Sequence, residues 1–108
     1  MTNNKTNIFI GTELKLNIHI EPIGGVSMSG YDWEVEVYCL AKNAVTIKKE
    51  DAVQVDDNNY IILVDTTKVG AGRVKCKITA YIPDEDFEDG IRTEVCGIDT
   101  GIDIVKSI

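Results

Sequence analysis

The sequence predicts an all-β domain, an immunoglobulin-like antiparallel sandwich of about seven short strands. Apolar and polar residues alternate with a period of two through most of the chain, and no long stretch carries a helical stripe. Turn-forming residues interrupt this alternation at intervals of 8 to 15 residues. The length of 108 residues suits one domain. We therefore expect a single sandwich over residues 12–108, preceded by a flexible N-terminal arm at 1–11.

The first half of the chain predicts two strong strands. Residues 13–21, ELKLNIHIE, place four aliphatic side chains on one face and polar side chains on the other. Residues 22–30 form a loop, because they contain Pro, three Gly and two Ser. Residues 31–41 alternate again, with Trp33, Val35, Val37 and Cys39 pointing inward.

Short strands follow at residues 44–49 and 52–57, and the run DDNN ends the second of them in a turn. Residues 60–65, YIILVD, are apolar on both faces, which suggests a strand that is covered on two sides. Residues 66–72, TTKVGAG, indicate a helical turn or a tight loop.

The last part of the chain predicts two further strands. Residues 73–83 alternate strictly, and Pro83 ends the strand because it lacks a backbone donor. A final strand follows, broken or bulged near Gly97 or Gly101.

Opposite charges predict that two of these strands are neighbours. The outward row of the Trp33 strand carries Glu34 and Glu36, and that of the Cys76 strand carries Arg73, Lys75 and Lys77. Cross-strand pairs of opposite charge stabilise a sheet by roughly 0.2–1 kcal/mol each. We therefore expect the two strands to pair in antiparallel fashion.

Charge and cysteine usage narrow the function classes. The net charge of −7 argues against nucleic acid or an anionic membrane as partner, because both repel an acidic surface. No apolar run is long enough to span a bilayer, and a signal peptide is not expected. The odd set Cys39, Cys76 and Cys96 is interpreted as buried reduced thiols, with a Cys39–Cys76 bridge across the sandwich as the alternative.

The residues for catalysis are lacking. His19 is the single histidine and lies on the polar face of its strand. Neither a phosphate-binding glycine loop nor a zinc-ligand spacing is present. We expect no enzyme activity and no cofactor.

The acidic run from 84 to 90 is the one candidate metal site. Its weak Ca²⁺ ligands would be Asp84, Asp86, Glu88 and Asp89. The spacing fails the EF-hand pattern, since Gly90 comes one place late and Val95 stands where the last Glu is needed. The favoured interpretation is a solvated hairpin connection in which Phe87 tucks under the strand as an apolar anchor.

Two groups of apolar residues are candidate partner contacts. Tyr38 and Leu40 share the outward face of the Trp33 strand. Ile8, Phe9 and Ile10 end the predicted arm and could add to a neighbour's sheet.

The order of strands and turns resembles a known class of proteins. The runs TELKLNIHIEPIGGVSMSGYDWEVEVY and VDDNNYIILVDTTKVGAGRVKCKITAYIPDEDFEDGIRTEV resemble the small β-sandwich domains of bacteriophage virion proteins. These include the N-terminal domain of baseplate upper proteins and the fibre or auxiliary proteins of crAss-like phages.

The resemblance implies a non-enzymatic virion structural protein that decorates the capsid, anchors a fibre or belongs to the tail or baseplate. Its location would be the virion, which is assembled in the bacterial host cytoplasm. There it would dock other virion proteins or copies of itself as a homo-oligomer. The alternative is a carbohydrate- or Ca²⁺-binding β-sandwich module. The single, inward-facing Trp33 disfavours a sugar-stacking surface.

Overall fold

The computed structural model describes residues 6–39 and 43–106, which form two packed β-sheets. The strands of the described residues are β1 (Thr6–Phe9), β2 (Glu13–His19), β3 (Asp32–Cys39), β4 (Asn43–Lys48), β5 (Val53–Gln54), β6 (Asn59–Asp65), β7 (Gly72–Pro83) and β8 (Ile91–Val105). A 3₁₀ turn at Lys49–Asp51 and a one-turn helix α1 (Thr66–Val69) join them. The all-β prediction is confirmed, with eight strands among the described residues where about seven were expected.

The two sheets differ in size and have simple orders. The larger has the order β1-β8-β7-β3-β4, and the smaller has the order β2-β6-β5. Strand β1 runs parallel to β8, and the other neighbouring pairs are antiparallel. Within the described residues, no helix is long and apolar enough to cross a membrane.

Alternation explains the core between the sheets. The inward residues of β2, β3, β6 and β7 form one buried cluster. At its centre Trp33 is fully buried and meets Tyr60 edge to face, with ring centroids 4.9 Å apart. This geometry suits the charge distribution of aromatic rings. The inward assignments of Trp33, Val35, Val37 and Cys39 are thereby confirmed.

Strands β3 and β7 are antiparallel neighbours, as the charge rows predicted. Glu36 lies directly opposite Lys77, and Tyr38 lies opposite Lys75. The Tyr81 hydroxyl donates to the Glu34 carboxylate at 2.8 Å. The register therefore places acidic and basic side chains beside one another on the outer face.

The predicted irregularity of the last strand lies at Gly101. Arg73 pairs with Asp103 and Lys75 pairs with Asp99, so one residue of β7 faces three residues of β8. Gly101 has φ of 74°, which favours glycine. Its backbone N–H donates to Asp99 at 3.0 Å and is the main cause of the lowered pKa of that carboxyl group. The ladder is regular at Gly97.

Strand β1 corrects the prediction of a flexible arm for the residues that the structure describes. Thr6 pairs with Ile102 and Phe9 with Val105, and the Ile10 N–H donates to the Val105 carbonyl at 2.8 Å. Ile8 and Ile10 pack against the core. Their alternation serves the chain's own sheet instead of a neighbour's. Residues 1–5 of the arm lie outside the described residues.

Three expectations of burial were wrong. Leu63 on β6 is 67% exposed, because no described element covers the outer face of the three-stranded sheet. Phe87 is 48% exposed, so it does not tuck under the hairpin. Cys96 is exposed, and it lies on a part of β8 that pairs with β7 alone among the described strands. Cys39 and Cys76 are buried and free, and they lie on adjacent strands of one sheet, which removes the bridge across the sandwich.

Candidate functional site

The carboxylates of the acidic loop do not converge on a common point. Asp84 accepts the Asp86 N–H at 3.0 Å and pairs with Arg92 at 3.0 Å, while Asp89 accepts the Ile91 N–H at 3.0 Å. Asp86 and Glu88 are exposed. Across residues 6–39 and 43–106, no group of three His, Cys, Asp or Glu residues is placed to hold a metal ion. The loop is built as a hairpin connection in which Asp84 and Asp89 bond to its own backbone.

An Arg92-centred network stiffens the base of this hairpin. The Arg92 guanidinium pairs with Asp84, with Glu94 at 3.1 Å, and donates to the Ile23 carbonyl at 3.4 Å. Glu94 in turn accepts the Ile23 N–H at 3.0 Å. The loop after β2, which contains Ile23, is thus joined to β8 by charge-assisted hydrogen bonds. Arg92 was missed as a structural residue, although its opposite charge within an acidic run was the available signal.

The largest feature near the hairpin is an open strand edge. Strand β8 pairs with β7 on one side, but on its other side β1 reaches only Ile102–Val105. No described residue makes a backbone hydrogen bond to the outer side of residues 91–99. We call this segment the β8 edge. Nine residues of strand span roughly 30 Å, and their outward N–H and C=O groups are a template for another strand.

The β8 edge also exposes apolar side chains. Ile91, Thr93 and Val95 form its outward row, and Val95 is 59% exposed. Ile91 and Thr93 line an open depression together with Phe87, Glu88 and Asp89. Natural sheets protect such edges with charged residues, above all lysine, with proline or with a bulge. Residues 91–99 contain neither lysine nor proline, the bulge comes only at Gly101, and the charges of Arg92 and Glu94 lie on the inner face, where they pair with each other.

Two of the other edge strands in the described chain, β2 and β4, present more polar rows, whereas β5 exposes Val53 and, just after it, Val55. Strand β2 presents Glu13, Lys15, Asn17 and His19 on its exposed row. Strand β4 places Thr46 and Lys48 outward. A charged edge discourages unintended pairing. The β8 edge is therefore better suited to accept a partner strand than the edges of β2 and β4, and it is longer than the edge strands β1 and β5, which have four and two residues.

The negative charge is concentrated where the β8 edge begins. Glu85, Asp86, Glu88 and Asp89 are all exposed. Arg92, the one basic residue between 84 and 99, is already engaged by Asp84 and Glu94. The hairpin end of the β8 edge is therefore an apolar surface with an acidic border.

The predicted partner contacts do not gather into one site. Ile8 and Ile10 are half-buried against the core, whereas Phe9 is 49% exposed. Tyr38 is half-buried between Lys75 and Ala44 on the outer face of the larger sheet. Leu40 lies outside the described residues.

The thiols and the histidine form no catalytic pair. Burial raises the pKa of the Cys76 thiol to about 11 and also raises the pKa of Cys39. A hydrogen bond to Asn59 at 2.8 Å is the main cause of the raised pKa of His19. In the described chain no hydrogen bond joins the exposed Cys96 to His19, although both line one narrow crevice between β2 and β8.

No family model, curated protein or solved structure matches this chain.

Proposed function

We propose that this chain is a non-enzymatic assembly module that docks another protein through the β8 edge. We further propose that it acts as a structural protein of a phage or prophage virion, on the capsid, a fibre or the tail. The docking role rests on one observation: the outer backbone groups of residues 91–99 have no backbone partner among the described residues, and Ile91 and Val95 are exposed beside them. The virion context comes from the resemblance of the strand and turn order to phage domains.

The mechanism is the addition of a partner strand to the larger sheet. Backbone hydrogen bonds supply affinity in this mode, and alternate side chains supply selectivity. The Arg92 network and the β7 ladder hold the edge in its extended form before a partner arrives. Pre-organisation of this kind lowers the conformational entropy lost on binding.

The strand order supports an immunoglobulin-like connectivity. In that fold one sheet contains strands B, E and D, and the other contains C, F and G, with additional strands beside C in variable-type domains. Here β2-β6-β5 and β8-β7-β3-β4 follow those two orders, with β1 added beside β8. Such a fold does not by itself imply a function, so the docking role is carried by the open edge and not by this connectivity.

The sugar-binding alternative has no supporting feature in the described chain. Trp33 is fully buried and meets Tyr60 edge to face, so it presents no platform to solvent. The acidic loop does not bring three carboxylates together.

The experiment asks whether the chain is part of the particle and whether the β8 edge holds it there. Particles are purified by density gradient from a host that produces the wild type, Val95→Lys or Leu63→Lys, and the chain is measured with a specific antibody. Leu63 is a matched control because it is an equally exposed apolar residue on the other sheet. We expect wild type and Leu63→Lys in the particles and strong depletion of Val95→Lys. Absence of the wild-type chain from purified particles would refute the virion role.

A further inference from the structure

We propose that the occupant of the β8 edge is an extended segment of a different protein, with apolar residues at alternate positions and lysine or arginine at the end beside the acidic loop. This inference rests on the proposed docking function, and it names the chemistry of the partner. Three properties of the described residues carry it: the open backbone, the apolar row and the distribution of charge.

The open backbone selects an extended partner. The outer N–H and C=O groups of residues 91–99 have no backbone partner among the described residues. Only a segment in β conformation can satisfy a regular row of such groups. The regular ladder between β7 and residues 91–99 keeps the row straight as far as the bulge.

The apolar row selects the partner's side chains. Ile91, Thr93 and Val95 point to the same side of the sheet, with successive positions roughly 7 Å apart. A partner residue opposite each of them packs closely across the strands, and aromatic or β-branched residues gain most from such pairs. The exposed Phe87 extends this surface beyond Ile91.

The charge distribution decides between a different protein and a second copy. Symmetrical antiparallel pairing of two β8 edges about Val95 would set the Asp99 end of one copy beside the acidic loop of the other, and the guanidinium at that end, Arg73, is already paired with Asp99 and Asp103. Each chain also carries a net charge of −7. Two acidic chains repel each other, and the acidic border formed by Glu88 and Asp89 favours a segment with unpaired basic residues.

Synthetic peptides test the inference with the intact chain. The probe is Thr-Val-Thr-Val-Thr-Val-Lys-Lys, made also with the two lysines at its N-terminus, so that both strand directions are offered. One control carries glutamate in place of lysine, and another carries N-methyl groups on alternate backbone nitrogens. Affinity is measured by fluorescence anisotropy, and the binding site is located by amide hydrogen exchange of residues 91–99.

We expect one of the two lysine peptides to bind with Kd below about 1 mM and to protect the amides of residues 91–99. Val95→Lys should weaken binding tenfold or more, whereas Leu63→Lys should leave it unchanged. Glu88→Gln with Asp89→Asn should weaken binding severalfold at low salt and reduce its salt dependence. The matched control is Glu50→Gln with Asp51→Asn, which neutralises two exposed carboxylates elsewhere and should have no effect.

Four outcomes would overturn the inference. These are no binding by either lysine peptide, equal binding by the glutamate peptide, equal binding by the N-methylated peptide, or protection outside residues 91–99. Sedimentation equilibrium tests a fifth outcome. If the chain forms a dimer and Val95→Lys dissociates it, the occupant of the β8 edge is a second copy of this chain, which also overturns the inference. If the peptides do not bind but purified particles contain the chain, the virion role stands and only this partner is refuted. If a lysine peptide binds but the chain is absent from particles, the partner chemistry stands and the virion role is refuted.

Discussion

Replacement of Thr66 by valine should destabilise the fold through the loss of two hydrogen bonds at one buried atom. Thr66 is fully buried at the start of α1. Its hydroxyl donates to the Thr12 carbonyl at 2.8 Å and accepts the Gly11 N–H at 2.8 Å. One hydroxyl therefore joins α1 to the turn between β1 and β2. Valine has nearly the same shape but can make neither bond.

The expected magnitude follows from those two bonds. An unsatisfied buried donor or acceptor costs about 1–3 kcal/mol. Gly11 and Thr12 are themselves exposed, so water reaches them in part and the low end of that range applies to each. The variant should lose about 2 kcal/mol of unfolding free energy. The unfolding entropy is about 2.1 cal/mol/K per residue, and the chain has 108 residues. The loss therefore corresponds to a fall in Tm of about 9 °C.

Urea unfolding followed by circular dichroism measures the loss, and two further variants make it specific. Thr66→Ser retains the hydroxyl and removes one methyl group, which should cost about 1 kcal/mol. Thr46→Val changes an exposed threonine on β4 and should stay within about 0.5 kcal/mol of wild type. If Thr66→Val proved as stable as Thr66→Ser, the hydroxyl bridge would not contribute as the geometry implies.

Other changes test the bulge, the thiols and the histidine. Gly101→Ala should lower the unfolding free energy by about 1–2 kcal/mol, because the positive φ at this position is strained for alanine. The control Gly97→Ala should not lower it, since Gly97 does not have a positive φ and an added Cβ there meets open space. Equal urea midpoints for the two variants would contradict the prediction for Gly101. A thiol reagent at about pH 8 should label Cys96 quickly and leave Cys39 and Cys76 unlabelled until denaturant is added, since burial raises both of their pKa values; peptide mass spectrometry that found Cys76 labelled as fast as Cys96 would disprove it. The pKa of His19 is raised above 6.5, chiefly by its bond to Asn59, so its stabilisation is present below pH 6.5 and is lost as the pH rises through the raised pKa. The stability difference between wild type and His19→Gln should therefore shrink from about pH 5.5 to about pH 8.5, and a difference that grew with pH would reverse the sign of the argument.

Local patterns in the sequence predicted the features that depend on a single strand or on a single pair of strands. Strands β2, β3 and β7 follow from strict alternation, and the β3–β7 pairing follows from opposite charges in facing rows. The bulge followed from a glycine inside an alternating run. Each of these features depends on residues that are neighbours along one strand or on one pair of strands.

The features that were missed depend on strand order across the whole sheet. Residues 6–9 are too few to predict as a strand, and their pairing with Ile102–Val105 joins opposite ends of the chain. Exposure of Leu63 could not be foreseen, because alternation predicts which residues share a face but not whether another layer covers that face. The open side of β8 was missed for the same reason. The alternation of Ile91, Thr93 and Val95 was visible, yet only the sheet order shows that their strand has an open side.

The Gly101 bulge divides strand β8 into two parts with different pairing. After Gly101 the four residues Ile102–Val105 pair with β1, and before it residues 91–99 keep a regular ladder to β7 and to no other strand of the described residues. A bulge disrupts pairing locally and increases the twist of its strand, so it separates the part of β8 that closes the fold from the part that stays open. The Arg92 network contributes from the opposite end, where its bonds run through side chains and leave the outer backbone groups of the edge unused. An edge held extended at both ends by the fold itself needs no ordering before a partner strand adds to it.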